Sequence, residues 1–373
     1  MLVALLSGIA MLPSIANADQ WDIWIGTSSG NNSRGIYHCL LDGDSGKLGP
    51  SELVAEIRAP GFLELHPEHH LLYAVGQLQD GPCVAVYRVL GLGDQARLEL
   101  VDQESTGDGG GTHVSVHPSG RLLLTAQYGG GSVSAYALEK SGLISRRTQV
   151  IEHQGGSGVV PGRQDAPHPH WTGFSPDGRF ALVPDLGLDE VIIYRVDLET
   201  QTIHPHGAAP TGPGSGPRHL KFHPNGKWVY VLNELALSVA VFQYDVDSGS
   251  MELKQTIPTV PAEELAREKF ASASEIRVHP TGRFVYTANR GHDTITVFSV
   301  SSAGTLSPVQ VEPVRGATPR NFNLSPDGAW LVVGGQDSNT LASFEVDPQS
   351  GRITYNRSII TTPSPICILF HPH

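Results

Sequence analysis

Basic residues and cysteines are scarce in this sequence of 373 residues. It carries 25 lysines and arginines against 37 aspartates and glutamates, which gives a formal net charge of −12, and it contains no basic run. Nucleic acids and anionic membranes bind proteins with clustered basic residues, so the charge pattern argues against both as partners. The three cysteines, Cys39, Cys83 and Cys367, are odd in number and lack metal-binding spacing, which predicts packed free thiols.

Residues 1–18 differ in composition from the rest of the chain. Residues 1–15 are apolar and uncharged, and Ala16-Asn17-Ala18 forms a small-x-small site before the polar Asp19. This pattern is typical of a secretory signal peptide, although no lysine or arginine lies near Met1, and it is short for a membrane span. We therefore expect a signal peptide at 1–18, a single domain at 19–373 and a periplasmic or secreted protein. The alternative is that Met1 is not the true start and the protein is cytoplasmic.

A turn that begins with His-Pro or Ser-Pro recurs seven times. Its copies begin at residues 66 (HPEHH), 117 (HPSGR), 175 (SPDGR), 223 (HPNGK), 279 (HPTGR), 325 (SPDGA) and 371 (HPH), with steps of 51, 58, 48, 56, 46 and 46 residues. A period near 50 residues built on β-strands is typical of a β-propeller. The sequence thus predicts an all-β fold with seven blades, in which a site can lie in the central channel and in the loops at its mouth.

Each repeat predicts four antiparallel strands. In the best-defined repeat, alternating apolar and polar residues place them at 217–223, 228–234, 238–245 and 251–257. After the leader the chain starts with a second-type strand, at 22–27, and it ends with a first-type strand, at 365–371. We therefore expect the C-terminal strand to complete the blade begun by the N-terminal strands, which closes the ring and removes exposed sheet edges.

Two segments depart from the repeat. Residues 153–169 are rich in glycine and proline and predict a long loop, and residues 261–270 predict a short helix with proline in its first turn. Both connect the fourth strand of one blade to the first strand of the next.

The two rims of the ring carry different residues. The repeated turn histidines are too alike to form one site, so we interpret His66, His117, His223 and His279 as packing residues. The opposite rim collects unlike polar residues at the starts of first strands and the ends of second strands: His113, Gln127, His168, His170, Arg218, His219, Asn233, Glu234, Asn289, Arg290 and Arg320. Arginines bind carboxylate or phosphate through paired hydrogen bonds, so this rim predicts a site for an anionic ligand. A structural salt-bridge network is the alternative.

Several segments of this rim resemble the seven-bladed propeller lactonases, a family that includes 6-phosphogluconolactonase and the carboxymuconate-lactonizing enzyme. The resemblance covers residues 21–373 and rests on residues 217–227 (PRHLKFHPNGK), 229–235 (VYVLNEL), 285–293 (VYTANRGHD) and 319–322 (PRNF). It implies catalytic roles for Arg218, Glu234 and Arg290, together with His170 or, as the alternative, His168. It also implies a small anionic sugar lactone as substrate, with 6-phosphogluconolactone first, a cytosolic metabolite that fits poorly with an exported protein.

Three functions follow from these residues. The first is lactone hydrolysis, with Glu234 or His170 as general base and with Arg290 and Arg218 stabilising the oxyanion. His219 and Arg320 are expected as further substrate contacts, and no metal or other cofactor is required. The second is cycloisomerisation of an unsaturated dicarboxylate, and the third is a non-enzymatic exported binding protein. We expect a monomer, and the low aromatic content of 7% favours a polar, sugar-like ligand.

Overall fold

The computed structural model of this protein describes residues 20–30 and 33–371, and the predicted leader at 1–18 lies outside them. The described residues form 28 strands, one α-helix (α1, Ala262–Leu265) and one short 3₁₀ turn (Gly93–Gln95). The strands are, in chain order, β1 (Gln20–Thr27), β2 (Gly35–Asp42), β3 (Glu52–Glu56), β4 (Arg58–Leu65), β5 (Leu71–Leu78), β6 (Gly81–Gly91), β7 (Arg97–Ser105), β8 (His113–Val116), β9 (Leu122–Gln127), β10 (Ser132–Leu138), β11 (Ile144–Glu152), β12 (Gly173–Phe174), β13 (Phe180–Asp185), β14 (Glu190–Asp197), β15 (Thr202–Pro210), β16 (Pro217–Phe222), β17 (Trp228–Asn233), β18 (Ser238–Tyr244), β19 (Met251–Pro258), β20 (Ser272–Val278), β21 (Phe284–Arg290), β22 (Thr294–Val300), β23 (Leu306–Pro313), β24 (Pro319–Leu324), β25 (Trp330–Gly335), β26 (Thr340–Val346), β27 (Ile353–Thr361) and β28 (Pro365–Phe370).

The strands form seven four-stranded antiparallel sheets, so the predicted seven-bladed propeller is confirmed. Blade 1 contains β28, β1, β2 and β3, and blades 2 to 7 take four consecutive strands each, from β4–β7 to β24–β27. In blade 1, Ile23 pairs with Phe370 and Ile25 pairs with Ile368. The C-terminal strand therefore closes the ring, as the sequence predicts. Each blade of the closed ring therefore packs between two neighbouring blades.

Apolar side chains fill the spaces between neighbouring blades. One core cluster joins Leu72 and Val84 of blade 2 to Val114 and Tyr136 of blade 3, and all four are fully buried. The innermost strands, β4, β8, β12, β16, β20, β24 and β28, surround the central channel. The three cysteines are free and buried, in agreement with the sequence prediction.

Four turn histidines, His66, His117, His223 and His279, each link one blade to the next. His117 Nε2 lies 2.9 Å from the carbonyl oxygen of Gly178, the turn glycine of the following blade, and His223 makes the same contact with Gly282 at 3.0 Å. The backbone N–H of Ser119 donates to His117 Nδ1, so Nε2 carries the proton and donates to the carbonyl. The packing role predicted for these histidines is confirmed.

Two long connections lie over the rim opposite the turns. Residues 153–169 contain no strand, as predicted, whereas the helix expected at 261–270 is only the four residues of α1. None of the residues of α1 is buried, so no apolar face packs against the blades to extend it. No helix in the described part of the chain is long and apolar enough to span a membrane.

Candidate active site

The channel mouth opposite the turns holds two adjoining cavities. The arginine chamber has a volume of about 420 Å³ and is lined by Thr112, Tyr128, Arg163, His170, Glu234, Phe270, Arg290 and Arg320. The ring chamber has a volume of about 240 Å³, and its walls include Ser28, Gly61, Phe62, Thr112, His170, Arg218, His219, Arg320, Asn321 and Ile366. Thr112, His170 and Arg320 border both chambers, so these three residues mark the boundary between them.

Glu234 lies at the centre of a cluster of arginines. Its Oε2 accepts from Arg218 Nε at 3.0 Å and lies 3.1 Å from Arg290 Nη2, while its Oε1 accepts from Arg163 Nη2 at 2.7 Å. Only 5% of Glu234 is exposed. Burial alone would raise the pKa of this carboxyl, but Arg290, Arg218 and Arg163 outweigh burial and lower it to about 2. Glu234 is therefore a fixed negative charge, and a poor proton acceptor.

The charged form of Arg218 is destabilised by this arrangement. Burial and the neighbouring cations Arg320 and Arg290 lower the pKa of Arg218 well below its ordinary value, although Glu234 acts in the opposite direction. Burial and Arg290 likewise lower the pKa of Arg320 to about 10. The cluster therefore holds more positive charge than its single carboxylate balances, and this excess favours binding of an anion.

A buried hydrogen-bond chain fixes Arg218 in place. Arg218 Nη1 lies 3.1 Å from His219 Nε2, and His219 Nδ1 lies 3.2 Å from Glu275 Oε1. Guanidinium only donates, so Nε2 of His219 must accept and Nδ1 must carry the proton that it donates to Glu275. Glu275 is fully buried and also accepts from the side-chain amide of Asn321. The hydrogen bonds from Arg218 through His219 to Glu275 thus hold the Arg218 guanidinium in a fixed orientation.

His170 is the imidazole at the boundary of the two chambers. Burial, together with Arg218, His219 and Arg320, lowers its pKa well below the ordinary value, so the ring is neutral at pH 7. Its Nδ1 is buried and has no hydrogen-bond partner among the described residues. Because His170 lines both chambers, its neutral imidazole can accept a proton from a group bound there.

Arg290 and Arg320 both line the arginine chamber, and Arg320 has the less committed guanidinium because Arg290 Nη2 contacts Glu234 and donates to the carbonyl oxygen of Ala273. In residues 20–30 and 33–371, Arg290 Nε is buried without a hydrogen-bond partner, and Arg320 has neither a hydrogen bond nor an ion pair. An unpaired guanidinium that lines a cavity, as that of Arg320 does, can bind an anion.

Six of the predicted site residues line the chambers, namely Glu234, His170, Arg290, Arg218, His219 and Arg320, and His113 contacts the ring chamber only through Phe62. His113 is buried with its ring centroid 3.9 Å from that of Phe62, and burial and His219 lower its pKa well below the ordinary value. It packs behind the ring chamber rather than lining it.

The other four predicted residues line neither chamber. Asn233 Nδ2 donates to Ser238 Oγ at 3.0 Å, and Asn289 and Gln127 likewise bond to hydroxyl groups of their own blades. Each of these amides also lies beside a hydroxyl group of the third strand of its blade, since Ser132 donates to Gln127 Oε1, so all three face into the sheet. His168 stacks on Tyr128, with 4.4 Å between ring centroids, and lies behind it. The structure thus favours His170 over His168 as the imidazole of the site.

Sequence reasoning missed Arg163 and Glu275. Arg163 lies in the glycine-rich loop, and its position is set by the fully buried Gln164, whose side chain bonds to Leu186 and Asp189 of blade 4. No repeat pattern predicts such a loop residue.

Glu275 could have been found by counting back from the turns. The residue four positions before the turn is His113 in blade 3, His219 in blade 5, Glu275 in blade 6 and Asn321 in blade 7. The residue five positions before it is Gly61, Thr112, His170, Arg218, Ser274, Arg320 or Ile366, and six of these seven line the ring chamber. Equivalent positions in a closed ring face the same channel.

The described residues contain no group of three or more histidine, cysteine, aspartate or glutamate side chains that could hold a metal ion.

Comparison with known proteins agrees with this geometry. Residues 22–370 match the family described as lactonase, 7-bladed beta-propeller. The chain is 31% identical to a 6-phosphogluconolactonase of Bacillus subtilis, over 93% of this chain and 97% of the relative. It is 30% identical to the solved periplasmic gluconolactonase of Pseudomonas aeruginosa, with a TM-score of 0.87 over 95% of this chain and 99% of that one. A putative 6-phosphogluconolactonase from Bacteroides fragilis has 27% identity and a TM-score of 0.87 over 96% and 100% of the two chains. This chain belongs to the seven-bladed β-propeller lactonases and is a lactone hydrolase.

Proposed function

We propose that the protein hydrolyses 6-phosphogluconolactone to 6-phosphogluconate. The observation that carries the proposal is the group of four arginines around a single carboxylate, beside a neutral histidine at the channel mouth. An excess of guanidinium charge suits a substrate with a phosphorylated arm. The relative from Bacillus subtilis, which is named 6-phosphogluconolactonase, supports the same substrate.

His170 is proposed as the general base. It would take a proton from water while the water oxygen attacks the lactone carbonyl carbon. Glu234 was the alternative base, but its two oxygens are occupied by three arginines and its pKa is about 2. Its proposed role is to hold Arg163, Arg218 and Arg290 in position.

Arg320 is proposed to stabilise the tetrahedral oxyanion, because it borders both chambers next to His170. Collapse of this intermediate breaks the bond from the carbonyl carbon to the ring oxygen. The ring oxygen then takes up the proton held by His170 and leaves as a hydroxyl group, and the new acid ionises to a carboxylate. Arg290 and Arg163 would bind the phosphate of the arm. Arg218, the most buried of the four arginines, would assist Arg320 in stabilising the oxyanion from the side of the ring chamber.

A second candidate substrate is unphosphorylated gluconolactone, hydrolysed outside the cytoplasm. The periplasmic gluconolactonase of Pseudomonas aeruginosa favours it, as does the signal-peptide pattern at 1–18. Export of a monomer by this leader remains our proposal. Cycloisomerisation has no comparable support. A channel plugged by apolar side chains would favour the non-enzymatic alternative, whereas the walls of this channel mouth include four arginines and a glutamate.

Lactone hydrolysis with the spontaneous rate subtracted tests the proposal. We expect turnover of 6-phosphogluconolactone, and a loss of roughly 10²-fold or more in kcat for His170→Asn. The matched control is His204→Asn, at an exposed position on the outer strand β15. Turnover of gluconolactone alone would select the second candidate. Full activity of His170→Asn would rule out the proposed base, and no turnover of either lactone would rule out both substrates.

A further inference from the structure

The channel mouth is divided into a polar half and a small, apolar half. Counted five positions before the turns, blades 3 to 7 contribute Thr112, His170, Arg218, Ser274 and Arg320. The two blades that complete the ring contribute Gly61 and Ile366. The ring chamber therefore has basic groups on one wall and uncharged groups on the other.

The uncharged wall combines apolar surface with a few hydroxyl and amide groups. Phe62 and Ile366 supply the apolar surface, Ser28 is hydrogen-bonded to Ser364 at 2.5 Å between the two hydroxyl oxygens, and Asn321 adds its amide. Pockets for neutral polar molecules have this mixed lining. The arginine chamber, in contrast, holds Arg163, Arg290 and Arg320 with one carboxylate.

The geometry of a six-membered sugar lactone matches this division. Its ring oxygen joins the carbonyl carbon to the carbon that carries the phosphorylated arm, so the reacting bond and the anionic arm lie on one side of the ring. The three other ring carbons, each with a hydroxyl group, lie on the opposite side. With the carbonyl beside His170 and Arg320, the arm reaches the arginine chamber and the three hydroxylated carbons reach the uncharged wall.

We propose that the ring chamber is the subsite for the hydroxylated carbons of the substrate and that Gly61 and Ile366 set its size. This inference rests on the proposed function and deepens it. A Cβ atom placed on Gly61 lies 3.8 Å from both the Ala59 oxygen and Ile366 Cδ1, which is ordinary contact distance. A larger side chain at 61 thus fits the backbone and extends into the chamber.

Calorimetric titration of two ligands tests the subsite. In Gly61→Leu and in Ile366→Trp, which fill the chamber from opposite walls, we expect 6-phosphogluconate to bind roughly ten-fold more weakly or worse. Inorganic phosphate, which needs only the arginine chamber, should bind as in the wild type. Gly207→Leu is the matched control, because Gly207 lies on the outer strand β15 and a Cβ there meets nothing within 4 Å.

Each result of the two titrations either supports or contradicts the ring chamber as the sugar subsite. If both filling variants bind 6-phosphogluconate as the wild type does, the sugar does not occupy the ring chamber and the inference is wrong. If they lose affinity for phosphate in the same proportion, the two chambers are not separate subsites and the inference is also wrong. Selective loss of 6-phosphogluconate binding supports the subsite even if the wild type does not hydrolyse the lactone. That absence of turnover would overturn the proposed function alone.

Discussion

Glu234 is the residue on which the charge balance of the site depends. Three guanidinium groups contact its two oxygens, and four guanidinium groups border the surrounding chambers. Buried charges that lose their only counter-ion are costly, on the order of 3–5 kcal/mol when one partner of a buried pair is removed. The carboxylate therefore stabilises the fold as well as the geometry of the site.

Acid should remove this contribution. The pKa of Glu234 is about 2 in the folded protein against an ordinary 4.5, so its stabilising effect is present above about pH 4.5 and is lost as the pH falls towards 2. Between pH 5 and pH 3 the loss from this one group is about 2 kcal/mol. Urea unfolding at the two pH values should show a pH dependence smaller by that amount in Glu234→Gln than in the wild type. An unchanged pH dependence would show that Glu234 is not held by the arginines.

The sequence predicted individual site residues less completely than it predicted strands. Arg218, Glu234, Arg290 and His170 were found because each lies next to a repeated strand end, and the structure brings all four together. Asn233, which occupies the same kind of position, faces its own blade. Alternation along a strand decides which of two neighbours points into the channel, and irregular register near the strand starts, as between Pro217 and His219, obscures that alternation.

The loop at residues 153–169 shows how an element without regular structure can be fixed in place. His153 lies 2.6 Å from Asp185 and 2.7 Å from the hydroxyl of Tyr194, and Gln164 bonds to blade 4. Backbone contacts from Ser157 to Gly187 add to these anchors. The loop consequently holds Arg163 in the position from which it reaches Glu234.

Releasing one anchor should therefore affect the site. Gln164→Leu removes the two hydrogen bonds to blade 4 and leaves the Leu186 carbonyl unpaired, at a cost of about 1–3 kcal/mol. We expect the KM for the phosphorylated lactone to rise more in this variant than the KM for gluconolactone, because Arg163 is proposed to bind the phosphate. Steady-state kinetics with both lactones measure this. Gln154→Leu, at an exposed position of the same loop, is the control, and equal KM changes for both lactones would contradict the role of Arg163.

Regular elements were easier to predict than these connections. The strands predicted at 217–223, 228–234, 238–245 and 251–257 match β16 to β19 within one residue at each end, since hydrophobic periodicity and turn residues define strands of fixed length. The helix expected at 261–270 is one turn long, because a sequence with good helical residues still needs an apolar face to pack. Loop contacts such as that of Arg163 arise between segments far apart in sequence, and no local pattern records them.

In the whole molecule, closure of the ring of blades depends on one strand, β28. β28 supplies the innermost strand of blade 1, and it packs against blade 7 through Asn321, which accepts a hydrogen bond from the backbone N–H of Ile368 at 2.9 Å. Seven blades close the circle only when this strand is present. The same strand carries Ile366, so the ring chamber and the closure of the ring depend on one segment.

Deleting residues 364–373 should therefore abolish the cooperative fold. The remaining blade 1 would expose the edge of β1 to solvent, and the interface with blade 7 would be lost. We expect aggregation or a collapsed thermal transition, measured by circular dichroism and light scattering. A circular permutant that keeps β28, with residue 371 joined to residue 20 by a short linker, should retain the transition, because Phe370 already pairs with Ile23. A stable, monomeric deletion variant would contradict this dependence.

The closing strand also sets when the molecule can finish folding. Synthesis at roughly 5–20 residues per second means that about 20–75 s pass before the last segment of a 373-residue chain emerges from the ribosome. During that interval blades 2 to 7 can form one after another as their strands are made, while blade 1 waits for its inner strand. The nascent chain thus spends its whole synthesis with an open seam, the state in which chaperones, translocation machinery or a second nascent chain can reach it.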